Sequence, residues 1–186
     1  MQRLPVIPTI VVLLAVGMMI RLGLWQIDRM HEKEALLARY AAAASSRDEV
    51  EWSRDDDAAQ ERLYARSRIN CVSTSNGSAI AGKSATGESG LAITVSCLTE
   101  HGDPALVVLG WSREPKIPQW GGGEVAGVIA PGPRLVADPP LAGLEASAMP
   151  DPRDVPNNHW SYAVQWFLFA FVALVIYALA VRKRLA

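Results

Sequence analysis

Asn157-Asn158-His159-Trp160-Ser161-Tyr162-Ala163-Val164-Gln165-Trp166-Phe167 opens the last hydrophobic segment of the chain, and its reading decides the fold. Pro156 blocks an earlier helix start. Asn158 is a good N-cap, because its side-chain oxygen can accept from the free amides of a first turn. Residues 163–181 then carry no charge over nineteen positions, and Arg182-Lys183-Arg184 follow at once. At about 1.5 Å of rise per residue such a run is long enough to cross a hydrocarbon core of about 30 Å. The pattern predicts a membrane helix over 159–181 with a basic tail, 182–186, on the cytoplasmic or matrix side. His159, Tyr162, Trp166 and Phe169 follow at spacings of 3, 4 and 3, which puts them on one helix face. Two readings of that face stand side by side. One is an interfacial aromatic belt with a passenger histidine. The other is an imidazole ringed by flat aromatics, able to meet a metal-bearing planar ligand.

A second hydrophobic run lies at the other end. Residues 4–25 hold a single charge, Arg21. A cleaved signal peptide would have a shorter apolar core and a small-x-small site at its end, whereas this run passes into Leu22-Gly23-Leu24-Trp25-Gln26. We read it as an uncleaved transmembrane helix. Two spans return the chain to the same side, so the N-terminus with Arg3 is also inside and the segment between the spans is outside. Trp25 and Trp160 then fall at the same outer interface. Residues 26–44 contain neither Gly nor Pro and are rich in good helix formers. This predicts a helical extension outside the membrane, with Met30, Leu37 and Ala41, or Leu36 and Tyr40, in a weak apolar strip that could dock on a domain. Residues 45–62 are polar and acidic, with Asp55-Asp56-Asp57, and predict a solvated loop or a short capped helix.

From Tyr64 the pattern changes to short β-type runs with turn signals between them. Strands are predicted at 64–74, 78–83, 91–99, 105–112, 124–130 and 134–137, with Asn76-Gly77 as a turn pair. No helix-period segment separates them, which excludes a Rossmann-type sheet. The proline-rich 138–155 is an irregular return to the membrane. The expected fold is membrane α+β: two transmembrane helices flanking an outer antiparallel β-rich domain over 45–156, either a small sheet or a partly open barrel.

Composition removes several functions. The 186 residues carry a net charge of -1 with no basic run before the last residues, so nucleic acid is not an expected partner, whereas membrane lipid is. The two cysteines, Cys71 and Cys97, form no CxxC or finger spacing, which disfavours thioredoxin-like chemistry, covalent haem attachment and structural zinc. They fit either a bridge between neighbouring strands or two buried thiols. Of the three histidines, His101 sits in a polar turn and His31 in the extension. Gly121-Gly122-Gly123 lacks the lysine and helix of a phosphate loop. No catalytic constellation emerges, and the chain is expected not to be an enzyme.

His159 remains. A helix N-terminus disfavours imidazolium, and partial burial acts the same way, so both keep the ring in the neutral state a metal ligand needs. Arg21 and Arg29 place cations near the same interface, where anionic groups such as porphyrin propionates would be natural partners. Arg21 serves equally as a residue snorkelling to lipid headgroups.

Both membrane-flanking stretches carry a resemblance. Leu22-Gly23-Leu24-Trp25-Gln26 with Arg29, Lys33 and Leu36, and Asn157-Asn158-His159 with Tyr162-Ala163 and Gln165-Trp166-Phe167, resemble the paired signatures of the Surfeit locus protein 1 family. Where that family usually has R-G-W in a central strand, this chain has Leu109-Gly110-Trp111. The resemblance implies an assembly factor for haem-copper cytochrome c oxidase that binds haem a and aids its insertion. The implied partners are the oxidase catalytic subunit and haem a synthase. The position of His159 matches a histidine implicated in haem a binding in bacterial members. On this reading His159 is the ligand to the haem iron, Tyr162, Trp166 and Trp25 pack on the macrocycle, and Arg21 or Arg29 meets the propionates. A scaffold for oxidase assembly without a cofactor is the alternative, and a membrane-anchored enzyme of the outer compartment a third. A short N-terminus without an Arg/Ser-rich leader favours the bacterial inner membrane over the mitochondrial one, with the central domain periplasmic.

Overall fold

The computed structural model describes residues 5–53 and 56–185. Arg3 and the expected span start at Leu4 lie outside the described residues, as do Asp55 and the end of the basic tail at Ala186. The elements run α1 (Val6–Ser45), β1 (Glu49–Val50), α2 (Asp56–Glu61), β2 (Arg66–Lys83), β3 (Ser89–Thr99), β4 (Pro104–Ser112), β5 (Gly123–Ala130), β6 (Arg134–Ala137), a 3-10 turn at Pro152–Asp154, and α3 (His159–Leu185). They fall into two compact units: Met1–Leu36 with Pro156–Ala186, and Leu37–Val155.

In the first unit α1 and α3 are both long and apolar enough to cross a membrane. Pro8 is tolerated because first-turn amides have no partner inside the helix. Among the described residues, the buried positions of α1 are Val16 and Gly23, and those of α3 are Ala163 and Ala170. Each pair is seven apart. Thr9 and Tyr177 extend the same two rows, and their hydroxyls hydrogen-bond. At the opposite end Gln26 meets His159. The helices are therefore antiparallel along a heptad-spaced seam. Small seam residues let the backbones approach, as membrane helix pairs require. A Cβ added at Gly23 would come within 2.7 Å of the Phe167 ring, so that ring occupies the space the glycine leaves. The outward surfaces carry Ile7, Leu14, Phe171 and Ile176, each well exposed. A continuous apolar surface of this kind suits hydrocarbon and not water.

The second unit is a barrel. β2 pairs with β3 along one part of its length and with β5 along another, so β2, β3, β4, β6 and β5 close into a ring, with β1 added at the side of β2. The β-rich domain between two apolar helices is the one expected, and its barrel is fully closed. Closure leaves no free edge among these five strands. Two pairings depart from the antiparallel expectation: β4 and β6 run parallel, joined at Val107 and Val108, and the short β1 runs parallel to β2. Inside lie Ile69, Val95, Val107, Leu109, Val125, Ile129 and Leu135. Tyr40, near the end of α1, packs against this core, its ring 4.9 Å from that of Tyr64.

The turn expected at Asn76-Gly77 is not a turn. β2 runs unbroken from Arg66 to Lys83, and its register on β3 shifts between Ser75 and Ser78. The pair sits in a bulge with β3 as the partner on both sides, and a second shift, between Cys71 and Ser73, falls where β2 passes from β5 to β3. The return segment after β6 is irregular, as expected, yet tied to the barrel. Trp111 and Glu145 exchange both backbone hydrogen bonds, Leu141 N–H donates to Leu109 O, and Ala148 N–H donates to Lys83 O. Gly110 makes room for it, since a Cβ there would meet Glu145 O at 2.7 Å. Leu109 is fully buried in the core, an environment that suits leucine and would penalise an unpaired arginine.

Cys71 and Cys97 form a disulfide between β2 and β3, with Cα atoms 5.6 Å apart. Both are buried. Outside the barrel, Arg68 donates to Glu49 and to Glu124, linking β1, β2 and β5. The hydrogen bond from Arg68 holds the Glu49 carboxyl below its ordinary range.

Replacing both cysteines by alanine in the full chain should lower the unfolding free energy of the barrel by about 2–4 kcal/mol. Near-ultraviolet dichroism in a denaturant titration checks this. For Glu49 the folded pKa is depressed, so its contribution is complete above the ordinary carboxylate pKa and is lost as pH falls through the lower folded value. Arg68→Gln should move the Glu49 titration, followed by carboxyl carbon NMR, back up to the ordinary range.

Candidate functional site

The start of α3 brings the candidate residues onto a helix end. Asn158 precedes the helix, and its carbonyl accepts from the Tyr162 amide at 3.3 Å. His159 is the first helical residue and is half-buried. Its Nδ1 lies 2.7 Å from Oε1 of Gln26, itself half-buried on the seam face of α1. An amide oxygen can only accept, so Nδ1 carries the hydrogen, and in the neutral ring Nε2 is the nitrogen with the lone pair. Gln26 is the residue that sequence reasoning missed. It stood within the quoted motif, but nothing along the chain marks it as the partner of a histidine 133 positions away.

The aromatic face predicted for α3 divides in the structure. Trp166, two turns after His159, is half-buried, whereas Tyr162 and Phe169 are exposed. Trp166 and Phe169 meet edge to face, with centroids 6.2 Å apart. On α1, Arg21 and Trp25 line one open groove with Leu22, Leu24 and Asp28. A cation and an indole therefore flank the same concavity, and Trp25 is half exposed, at 51 %. Arg29 is not in that groove. It makes an exposed ion pair with Glu32 on the next turn, a kind worth little and easily exchanged. The structure thus joins His159 to Gln26, Arg21 to Trp25, and Trp166 to Phe169, while Tyr162 stands free on the surface of α3.

What this can do chemically is limited by donor count. Among the described residues no group of three His, Cys, Asp or Glu could hold a bare metal ion. A planar chelate is different, because its own ring fills most of the coordination sphere and the protein need supply only an axial donor. His159 offers one such donor, Nε2, in the neutral state, with exposed flat rings and a cation on the same unit. The donor type and the aromatic and cationic side chains fit such a group, and the groove of Arg21 and Trp25 is lined without His159. In the barrel, His101 is exposed beside Glu100 at 3.7 Å, and the polar groove there is lined by Trp52, Arg68, Asn70, Thr99 and His101. No nucleophile-base pair accompanies it among these lining residues.

Residues 13–171 match the family model described as the SURF1 family. No curated protein matches the chain.

Gly23→Leu has no room beneath Phe167 and should lower the stability of the helix pair by about 1–3 kcal/mol. Gly17→Leu, where a Cβ meets nothing within 4 Å, should leave it unchanged. Titration with a denaturing detergent, followed by helical dichroism, separates the two.

Proposed function

The chain belongs to the SURF1 family, a family of cytochrome oxidase assembly factors, and on that premise we propose that it binds haem a as cargo near the outer face of a bacterial inner membrane and aids its insertion into the oxidase catalytic subunit. The observation that carries this reading is the state of His159: Nδ1 is engaged by Gln26, leaving Nε2 as a neutral donor. Iron in the cargo supplies the acceptor for that lone pair. Tyr162, Trp166 and Trp25 offer flat surfaces to the macrocycle. Arg21 is the first candidate for a propionate, and Arg29 could join it by giving up its exposed pair with Glu32.

The location follows from charge and redox chemistry. Arg182-Lys183-Arg184 at the end of α3 put that end on the cytoplasmic side by the positive-inside rule. Two crossings then bring the start of α1 to the same side. A barrel stapled by a disulfide belongs in an oxidising compartment, which is the periplasm in this topology. Haem a synthase is the natural donor and the catalytic subunit the acceptor, with lipid around the two helices. The protein acts as a carrier in this scheme: its residues bind, orient and release, and none performs a bond-making step.

The test is the absorption spectrum of the full chain purified from haem a-producing cells. The native chain, His31→Ala and His101→Ala should carry haem a, and His159→Ala should lose most of it. Full occupancy with an unchanged spectrum in His159→Ala would remove the ligand role. A colourless native chain that still co-purifies with the catalytic subunit would favour a scaffold instead.

A further inference from the structure

We propose that Gln26 is a positioning residue that locks His159 in its Nδ1–H tautomer, and that its amide makes His159 a ligand of moderate strength suited to a cargo that must be given up. The ligand half of this statement rests on the reading of His159 as the axial donor; the tautomer half does not.

The geometry supplies the first part. Gln26 Oε1 is 2.7 Å from Nδ1, a full hydrogen bond. Both side chains are half-buried on the seam where α1 and α3 pack. Their meeting is fixed from outside, because the same antiparallel rows are pinned by Phe167 over Gly23 and by Thr9 to Tyr177. The ring is therefore held by an acceptor on a separate helix and not by its own backbone. A neutral histidine side chain free in water favours the opposite tautomer, with the hydrogen on Nε2, which is useless for coordination through Nε2. The contact with Gln26 reverses that preference before any cargo arrives.

The acceptor's chemistry supplies the second part. Ligating histidines commonly pass their other ring hydrogen to a carboxylate or carbonyl, which orients the ring and raises its basicity. A carboxylate pulls hardest on that hydrogen and makes the strongest donor. An amide oxygen is uncharged and pulls less, so the ring stays a neutral imidazole that binds iron without gripping it. The chain has acidic residues close by on α1, Asp28 and Glu32, yet the position that meets His159 is an amide.

The experiment uses the full chain in lipid nanodiscs with its three histidines labelled with nitrogen-15, without haem, at about pH 8, where an ordinary histidine is neutral. His159→Ala identifies the His159 signals by their loss. The native ring should show a protonated Nδ1 and an unprotonated Nε2. Gln26→Met, similar in size with no strong acceptor, should shift His159 toward the Nε2–H form, and Gln26→Glu should restore Nδ1–H. A native ring already in the Nε2–H form, or a Gln26→Met ring unchanged from native, overturns the proposal. In a second arm each chain is titrated with haem a. Gln26→Met should bind about 10–100-fold more weakly, and Gln26→Glu should bind more tightly and release more slowly than native. Equal affinity and release in all three overturns the ligand-strength half. Native-like haem binding by His159→Ala in the same titration would instead sink the ligand reading of His159, leaving the tautomer result to stand by itself.

Discussion

The ring of Phe167 lies where Gly23 has no side chain, and the helix unit depends on that fit. In hydrocarbon there is no hydrophobic gain in bringing two apolar helices together, so they associate by close packing and a few polar contacts. Here the packing comes from a row of small residues seven apart on each helix, and the polar contacts sit at the two ends, Thr9 with Tyr177 and Gln26 with His159. The seam sets the register, and the register decides which side chain of α1 the histidine meets. A shift by one helical turn would put a different residue opposite the imidazole. The chemistry at the start of α3 is thus a consequence of a packing solution made about one to two turns deeper.

The barrel solves a different problem. A free strand edge exposes a row of unpaired N–H and C=O groups, and the barrel removes it by pairing every one of its five strands on both sides. β2 does this by being long enough to bond β5 with its first part and β3 with its second. A register shift between Cys71 and Ser73 falls where β2 changes partners, and a bulge there gives the bend that such sharing needs. The disulfide joins the two strands near the place where β2 changes partners, since Cys71 lies opposite both Gly123 of β5 and Thr99 of β3. The return segment then covers the part of β4 that β6 does not reach, with Trp111 and Glu145 as its main backbone link. Leu109-Gly110-Trp111 takes on meaning from this arrangement: the leucine fills the core, the glycine admits the return segment, and the buried tryptophan anchors the strand.

Much of this was legible along the chain, because the signals were local. Apolar runs of membrane length and the alternating runs from Leu91 onward are each properties of a short window, and each led to the element that is observed. The misreading at Asn76-Gly77 was also local. That dipeptide favours a two-residue hairpin turn when the flanking strands pair with each other, and here both flanks pair with β3. The parallel pairing of β4 with β6 had no local signal at all. The open choice between a disulfide and two thiols at Cys71 and Cys97 could be closed only by the distance between two strands.

By itself, then, the amino-acid sequence determined the plan: two apolar helices, a β-rich domain between them, and a histidine at the start of the second helix within a family signature. The helices and the β-rich domain follow from composition and periodicity, which act over a few residues at a time, and the signature from the resemblance its motif residues carry. Tertiary structure alone decided the closure of the barrel, the pairing of the cysteines, the division of the aromatic face into Trp166 on the seam side and Tyr162 outside, and the partnership of Gln26 with His159. Each of these depends on residues far apart in the chain arriving within a few ångströms of one another. That is set by how whole elements pack, and no short stretch of sequence records it.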